Sequence, residues 1–277
     1  MKALIIGLLM FWLWPVAGQR TYDIHELQAL SPATFRLAFH FVGLEDGRNF
    51  TGDPDDPVLA AHGNNEKLRA DVLMRYLLNE MNFRFRTALL DFAPSRDARI
   101  RFALVNGAEE PLRSAFFYRH GERVRTLDDA MNIIFTRYPG PGKAPDASVP
   151  GVGSNRIHVY NRLPGFLKGS HDTWTIARII NHELGHTQGL DHTFNCNNPC
   201  AGIDLEPEDE CFGACTTNNN GSAAGTNCYG GSGRDLMMGY GSQLHLTVCE
   251  TEQLWNYMLR HPRPWVELPF VGAPAPW

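Results

Sequence analysis

Between residues 182 and 192 the chain reads His182-Glu183-Leu184-Gly185-His186-Thr187-Gln188-Gly189-Leu190-Asp191-His192. On a helix, His182 and His186 stand one turn apart and project from the same face, so two imidazoles can hold one zinc ion. Glu183 lies about 100° around the helix from the first of them. There a carboxylate can touch a metal-bound water without binding the metal itself. Gly189 permits the left-handed backbone that stops a helix and turns the chain. His192 then returns as a third ligand. Three protein ligands leave one position open for water, which is the arrangement of a catalytic zinc and not of a structural one. Solvated or capping histidines are the alternative. The third histidine, the turn glycine and a later Met238-Gly239-Tyr240 weigh together against it.

These residues need a helix anchored on one side. Capping residues cluster near Ser170–Thr173, and Ile176, Ile180 and Leu184 repeat at helical spacing as a stripe facing the core. Alternating or apolar runs at Phe35–Val42, Ile100–Val105 and Ile157–Asn161 read as strands. His40 is expected to be a packed strand residue. A backing helix is expected over Leu68–Phe83, with Val72, Leu73, Tyr76, Leu77 and Met81 on its apolar side, and a further helix near Leu127–Phe135. Residues 19–32 read as a polar leader, and 43–66 as an exposed loop. That loop holds the sequon Asn49-Phe50-Thr51, meaningful only where the host glycosylates. Thr247-Val248-Cys249-Glu250 has the form of a capping box opening a helix to about Arg260, and the proline-rich tail 261–277 reads as extended surface chain.

Composition bounds the setting. The chain opens with Met1-Lys2, an apolar run from Ala3 to Trp14, and Pro15-Val16-Ala17-Gly18. A charged start, a stretch too short to span a bilayer comfortably and small residues at a cleavage point read as an export signal over 1–18. A membrane anchor is the alternative. The rest is expected to be secreted, extracellular and without a membrane partner. The formal charge is −5, one unit more negative once Lys2 is removed. Mild acidity without a basic patch gives no support for nucleic-acid partners. Six cysteines, Cys196, Cys200, Cys211, Cys215, Cys228 and Cys249, all lie late in the chain. An even count in an exported chain suggests disulfides of unspecified pairing; a structural zinc on Cys196, Cys200, Cys211 and Cys215 is the alternative. Asp204, Glu206, Glu208, Asp209 and Glu210 offer oxygen ligands of the kind calcium takes, against the plainer reading of a solvated acidic turn.

His182 to His192, followed by Met238-Gly239-Tyr240, resembles the metzincin clan of zinc endopeptidases. The run on through Thr193-Phe194 into a cysteine-rich loop, with Leu236-Met237-Met238-Gly239-Tyr240 and Leu246-Thr247, is most similar to the pappalysin (cytophagalysin-like) family. That specific likeness covers about residues 155–258. The resemblance implies an α+β, zincin-like domain over 19–277 with a twisted mixed sheet and an active-site helix. It also implies an upper lobe of about 33–192 and a smaller disulfide-rich C-terminal lobe of about 193–277. It further implies that Met238 forms the base beneath the histidines and that the Tyr240 hydroxyl lies near the metal. Leu236 departs from the asparagine the family often has there, and no cysteine precedes Cys196, so latency through a pro-segment thiol is not expected.

The expected activity is hydrolysis of peptide bonds in a protein or peptide substrate by zinc-bound water. Glu183 takes the proton and returns it to the leaving amine, and Tyr240 helps stabilise the oxyanion. A zinc amidase on a non-peptide substrate and a secreted, non-catalytic binding module are the rivals. Glu183 argues against the second, since binding alone has no chemical need of a carboxylate there. The sequence gives no indication of oligomeric state.

Overall fold

The structure is a computed structural model that describes residues 21–63, 65–86, 97–137, 147, 151–168, 172–192, 237–238 and 245–269. In chain order the elements are α1 (Ile24–Ala29), β1 (Ala33–Val42), α2 (Pro57–Ala61), α3 (Ala70–Arg86), β2 (Ile100–Leu104), β3 (Ala115–Tyr118), β4 (Met131–Thr136), β5 (Arg156–Tyr160), α4 (Arg162–Leu167), α5 (Thr173–Thr187), α6 (Val248–Arg260) and β6 (Val266–Glu267), with two short 3-10 turns at Glu66–Leu68 and Pro111–Ser114.

Strand β1 is the spine of the sheet. Its Phe35, Leu37, Phe39 and Phe41 alternate onto one face and are fully buried, as period-2 side chains on a packed sheet must be. Its first half pairs with β2 and its second half with β3, both parallel. Along the opposite edge Leu37–Phe41 pair in parallel with β4, while Thr34 and Phe35 pair antiparallel with β6. Strand β5 extends the sheet beyond β4, again in parallel. The result is a mainly parallel α/β sheet with one antiparallel strand. Helices α3 and α5 pack against each other and on the sheet, and Leu73, Leu77, Met81, Ile176, Ile180 and Leu184 close the core with the β1 phenylalanines.

The second face of β1 is also covered. His40 is buried, with Nδ1 3.1 Å from the Tyr118 hydroxyl and Nε2 2.8 Å from Asn132 Oδ1. Burial holds its pKa below the usual imidazole value, with the His158 charge acting in the same direction. It is a packed residue, as expected.

Five expectations change. Residues 131–136 form strand β4, not part of a helix. Met-Asn-Ile-Ile-Phe is buried on both faces, so it shows neither alternation nor helical period, and its β-branched content decides. On α3 the buried stripe is Leu73, Met74, Leu77, Leu78, Met81 and Phe85, while Tyr76 points outward at 48% exposed. The polar leader contains α1, which a complete capping box at Asp23 and Glu26 starts. Residues 43–66 carry α2 and bury Phe50, Thr51 and Leu59. The tail begins by adding β6 to the sheet, with Arg36 N donating to the Trp265 carbonyl at 2.9 Å. The Asn49 amide is itself structural: Nδ2 donates to the carbonyls of Phe41 and Tyr118 at 3.0 and 3.1 Å. A sugar on that nitrogen would remove one of the two bonds.

Candidate metal centre

Helix α5 carries the first two histidines, and its two ends are built differently. Asp172 caps the start by accepting from Thr175 N at 2.6 Å. At the other end Gly189 sits at φ +81, Leu190 N donates to Gly185 O at 3.0 Å and Gly189 N to His186 O at 3.1 Å. Those two bonds are the Schellman pattern, which a left-handed glycine permits. Ile176, Ile180 and Leu184 are fully buried along the stripe expected of them.

The imidazoles are fixed by their far nitrogens. His182 Nδ1 donates to the Met237 carbonyl at 2.7 Å, and His186 Nδ1 donates to the Leu190 carbonyl at 2.9 Å. Each ring therefore presents a bare Nε2, and the two Nε2 atoms face each other 3.2 Å apart. Two lone pairs cannot bond to one another. Shifting a proton to one Nε2 would break a bond to a buried carbonyl. Charging a ring is opposed by burial first, which pushes all three imidazoles below their usual pKa, His192 to about 4. A cation between the rings removes the conflict.

The geometry fits zinc. Two nitrogens about 2.1 Å from a tetrahedral ion lie roughly 3.4 Å apart. His182, His186 and His192 are buried, each offers a ligand atom within 4.8 Å of the others, and they are the one such group among the described residues. The His192 ring centroid lies 5.2 Å from that of His182 and 4.7 Å from that of His186. Glu183 is buried beside them, its Oε2 has no hydrogen-bond partner, and burial raises its carboxyl to about 8. Such a group holds a proton near neutrality and can exchange it with a bound water.

Met238 lies under this helix. A Cβ placed on Gly185 would collide with Met238 Sδ and stand 3.1 Å from its Cε. The hydrophobic floor implied for Met238 is therefore in contact with the helix between the two histidines. Tyr240, the loop cysteines Cys196, Cys200, Cys211, Cys215 and Cys228, and the acidic cluster 204–210 lie outside the described residues. Cys249 sits in the first turn of α6, and no cysteine among the described residues is free. Three contributors were not foreseen: the carbonyls of Met237 and Leu190, which no side-chain pattern announces, and Gly185. A glycine inside a strongly periodic helix is a signal of close packing that could have revealed the last.

No protein-family model matches this chain, and no curated protein matches it significantly. Among solved structures it is similar to mature mirolysin of Tannerella forsythia in complex with a cleaved peptide. That pair shares 14% identity over 81% of this chain and 90% of the other, with a TM-score of 0.44. Mirolysin bound to a small compound gives 12%, 84%, 94% and 0.42 in the same order.

Proposed function

We propose that this chain is a secreted zinc-dependent metalloendopeptidase of the metzincin clan, with a motif resembling that of the pappalysins. One observation carries the reading: two neutral, buried imidazoles present opposed Nε2 lone pairs 3.2 Å apart, beside a third histidine and a buried carboxyl. His182, His186 and His192 would hold the zinc, leaving a position for water and a scissile carbonyl. When bound, zinc supplies Lewis acidity to that carbonyl and lowers the pKa of its water. The chain's own residues do the rest. A cation held by the three histidines would favour the carboxylate form of Glu183 beside it, and that carboxylate would accept the water proton on Oε2 and hand it to the leaving amine. The Met237 and Leu190 carbonyls fix both imidazoles in the ligating tautomer. Tyr240 is assigned to the oxyanion on the motif resemblance, as are the C-terminal lobe, its disulfides and the export signal. Among the described residues no helix is long and apolar enough to cross a membrane. A zinc amidase would use the same centre, and the resemblance of the whole motif favours peptides over it.

The test is digestion of a diverse peptide mixture by the folded, zinc-loaded protein, with and without a chelator, beside Glu183→Ala. Cleavage should vanish in both controls, while Glu183→Ala retains zinc. Folded, zinc-loaded wild type that cuts nothing would favour the binding-module reading, and cleavage surviving Glu183→Ala would remove the mechanism.

A further inference from the structure

The turn joining His186 to His192 contains Gly189, whose peptide planes lack the steric restraint a side chain would impose. Several of its backbone groups are nevertheless engaged. Gly189 N and Leu190 N close back onto α5, and the Leu190 carbonyl accepts from His186 Nδ1. The Gly189 carbonyl accepts from Gln253 Nε2 on α6 at 3.2 Å. One turn further along α6, Tyr257 covers the glycine. A Cβ there would meet ring atoms Cδ2 at 3.2 Å and Cε2 at 3.5 Å. The Tyr257 hydroxyl is in turn 3.4 Å from Arg263 Nη2, and the ring packs on His261 at 4.7 Å.

We propose that Gln253 and Tyr257 are positioning residues for the third metal ligand: they hold the Gly189–Leu190 peptide in the orientation that brings His192 to the other two imidazoles. The inference rests on the zinc reading of the site. A flip of that peptide would turn the carbonyl away from Gln253 and the Leu190 N–H away from Gly185, and would swing the chain leading to His192. Glycine alone cannot resist the flip; a donor and a ring from a separate helix can. The neighbouring stripe of α6 does a different task. There Asn256 grips the backbone of Tyr22, accepting from its N–H at 2.8 Å and donating to its carbonyl at 2.9 Å. Two positions on one helix therefore separate ligand positioning from simple anchoring.

The experiment uses the full chain and three variants: Gln253→Met and Gln253→Glu, which keep the length but lose the amide donor, and Asn256→Leu, which cuts the Tyr22 grip. Each is measured for the thermal midpoint of the metal-free form, zinc affinity by competition with a chromophoric chelator, and the visible absorption of the cobalt(II) form. Both Gln253 variants should weaken zinc about tenfold, the scale of lost outer-shell contacts, and should shift the cobalt bands. Asn256→Leu should lower the midpoint while its zinc affinity and cobalt spectrum match wild type. Gln253 variants with wild-type affinity and spectrum overturn the proposal, as does an equal loss in Asn256→Leu, which would mean that destabilisation alone loosens the site. Folded wild type that binds no zinc removes the metal reading itself, and that failure is recognised because it occurs before any substitution.

Discussion

His182, Glu183, His186 and His192 each carry a protonation state set by burial more than by charged neighbours. For Glu183 the consequence has a measurable sign. Its carboxyl titrates at about 8 in the folded, metal-free chain against an ordinary value of 4.5, because burial penalises the anion. The unfolded chain therefore releases the proton first as pH rises. Stability from this group is complete below 4.5 and is lost as pH climbs toward about 8. Glu183→Gln, which cannot ionise, should make the metal-free protein more stable near neutrality by an amount on the order of 2–4 kcal/mol. It should also flatten the pH profile over that window. Urea unfolding of both forms at about pH 5 and about pH 8 decides it: equal stabilities at the higher pH would show that the carboxylate is not buried as described. At this scale the gathering of His182, His186 and His192, with Glu183 buried beside them, was legible, because spacing on a helix encodes which side chains share a face. The Met237 and Leu190 carbonyls were not, because backbone acceptors have no letter in the sequence.

Helix α5 works by being pinned along its length, and Gly185 is where the pinning is tightest. In an exposed helix Gly→Ala gains about 0.5–1 kcal/mol through propensity. Here the new methyl group would run into Met238 Sδ, and overpacking of that kind costs about 1–3 kcal/mol. The collision should win, so Gly185→Ala is expected to lower the thermal midpoint. Met238→Ala in the same chain should recover part of the loss, giving a favourable coupling in the double-mutant cycle. A Gly185→Ala variant more stable than wild type would mean that Met238 does not floor this helix. The elements themselves were legible in proportion to their one-sidedness. Helix α5 and the capping box of α6 were read correctly because each has one buried stripe or a local signature. Strand β4 was misread because a segment buried on both faces shows no periodicity, and Tyr76 because an apolar ring can face solvent at little cost. Strand β6 was invisible: two residues pairing with a strand more than two hundred positions earlier leave no local trace.

At the scale of the molecule, late residues complete early structure. Trp255, buried in the core, donates from Nε1 to the Ala98 carbonyl at 2.8 Å. The Glu252 carboxylate accepts from Ile24 N at 2.7 Å, and β6 pairs with the opening residues Thr34 and Phe35 of β1. Contacts of such long sequence separation carry a loop-closure cost that must be met before they stabilise anything. A chain ending before Val248 lacks Gln253, Trp255, Asn256 and β6 while keeping His182, His186 and His192. It should nevertheless remain largely unfolded by circular dichroism and bind zinc no better than a short peptide of residues 182–192; native-like affinity in that truncation would show that the upstream sheet suffices. The arrangement bears on the safety of the producing cell. On the proposed reading, a growing chain carries the complete HExxH spacing well before it carries the α6 residues packed on the turn to His192, so the site would stay unassembled while the earlier residues are being made. Any activity of the site would then wait on α6 and β6, a timing set by chain order itself.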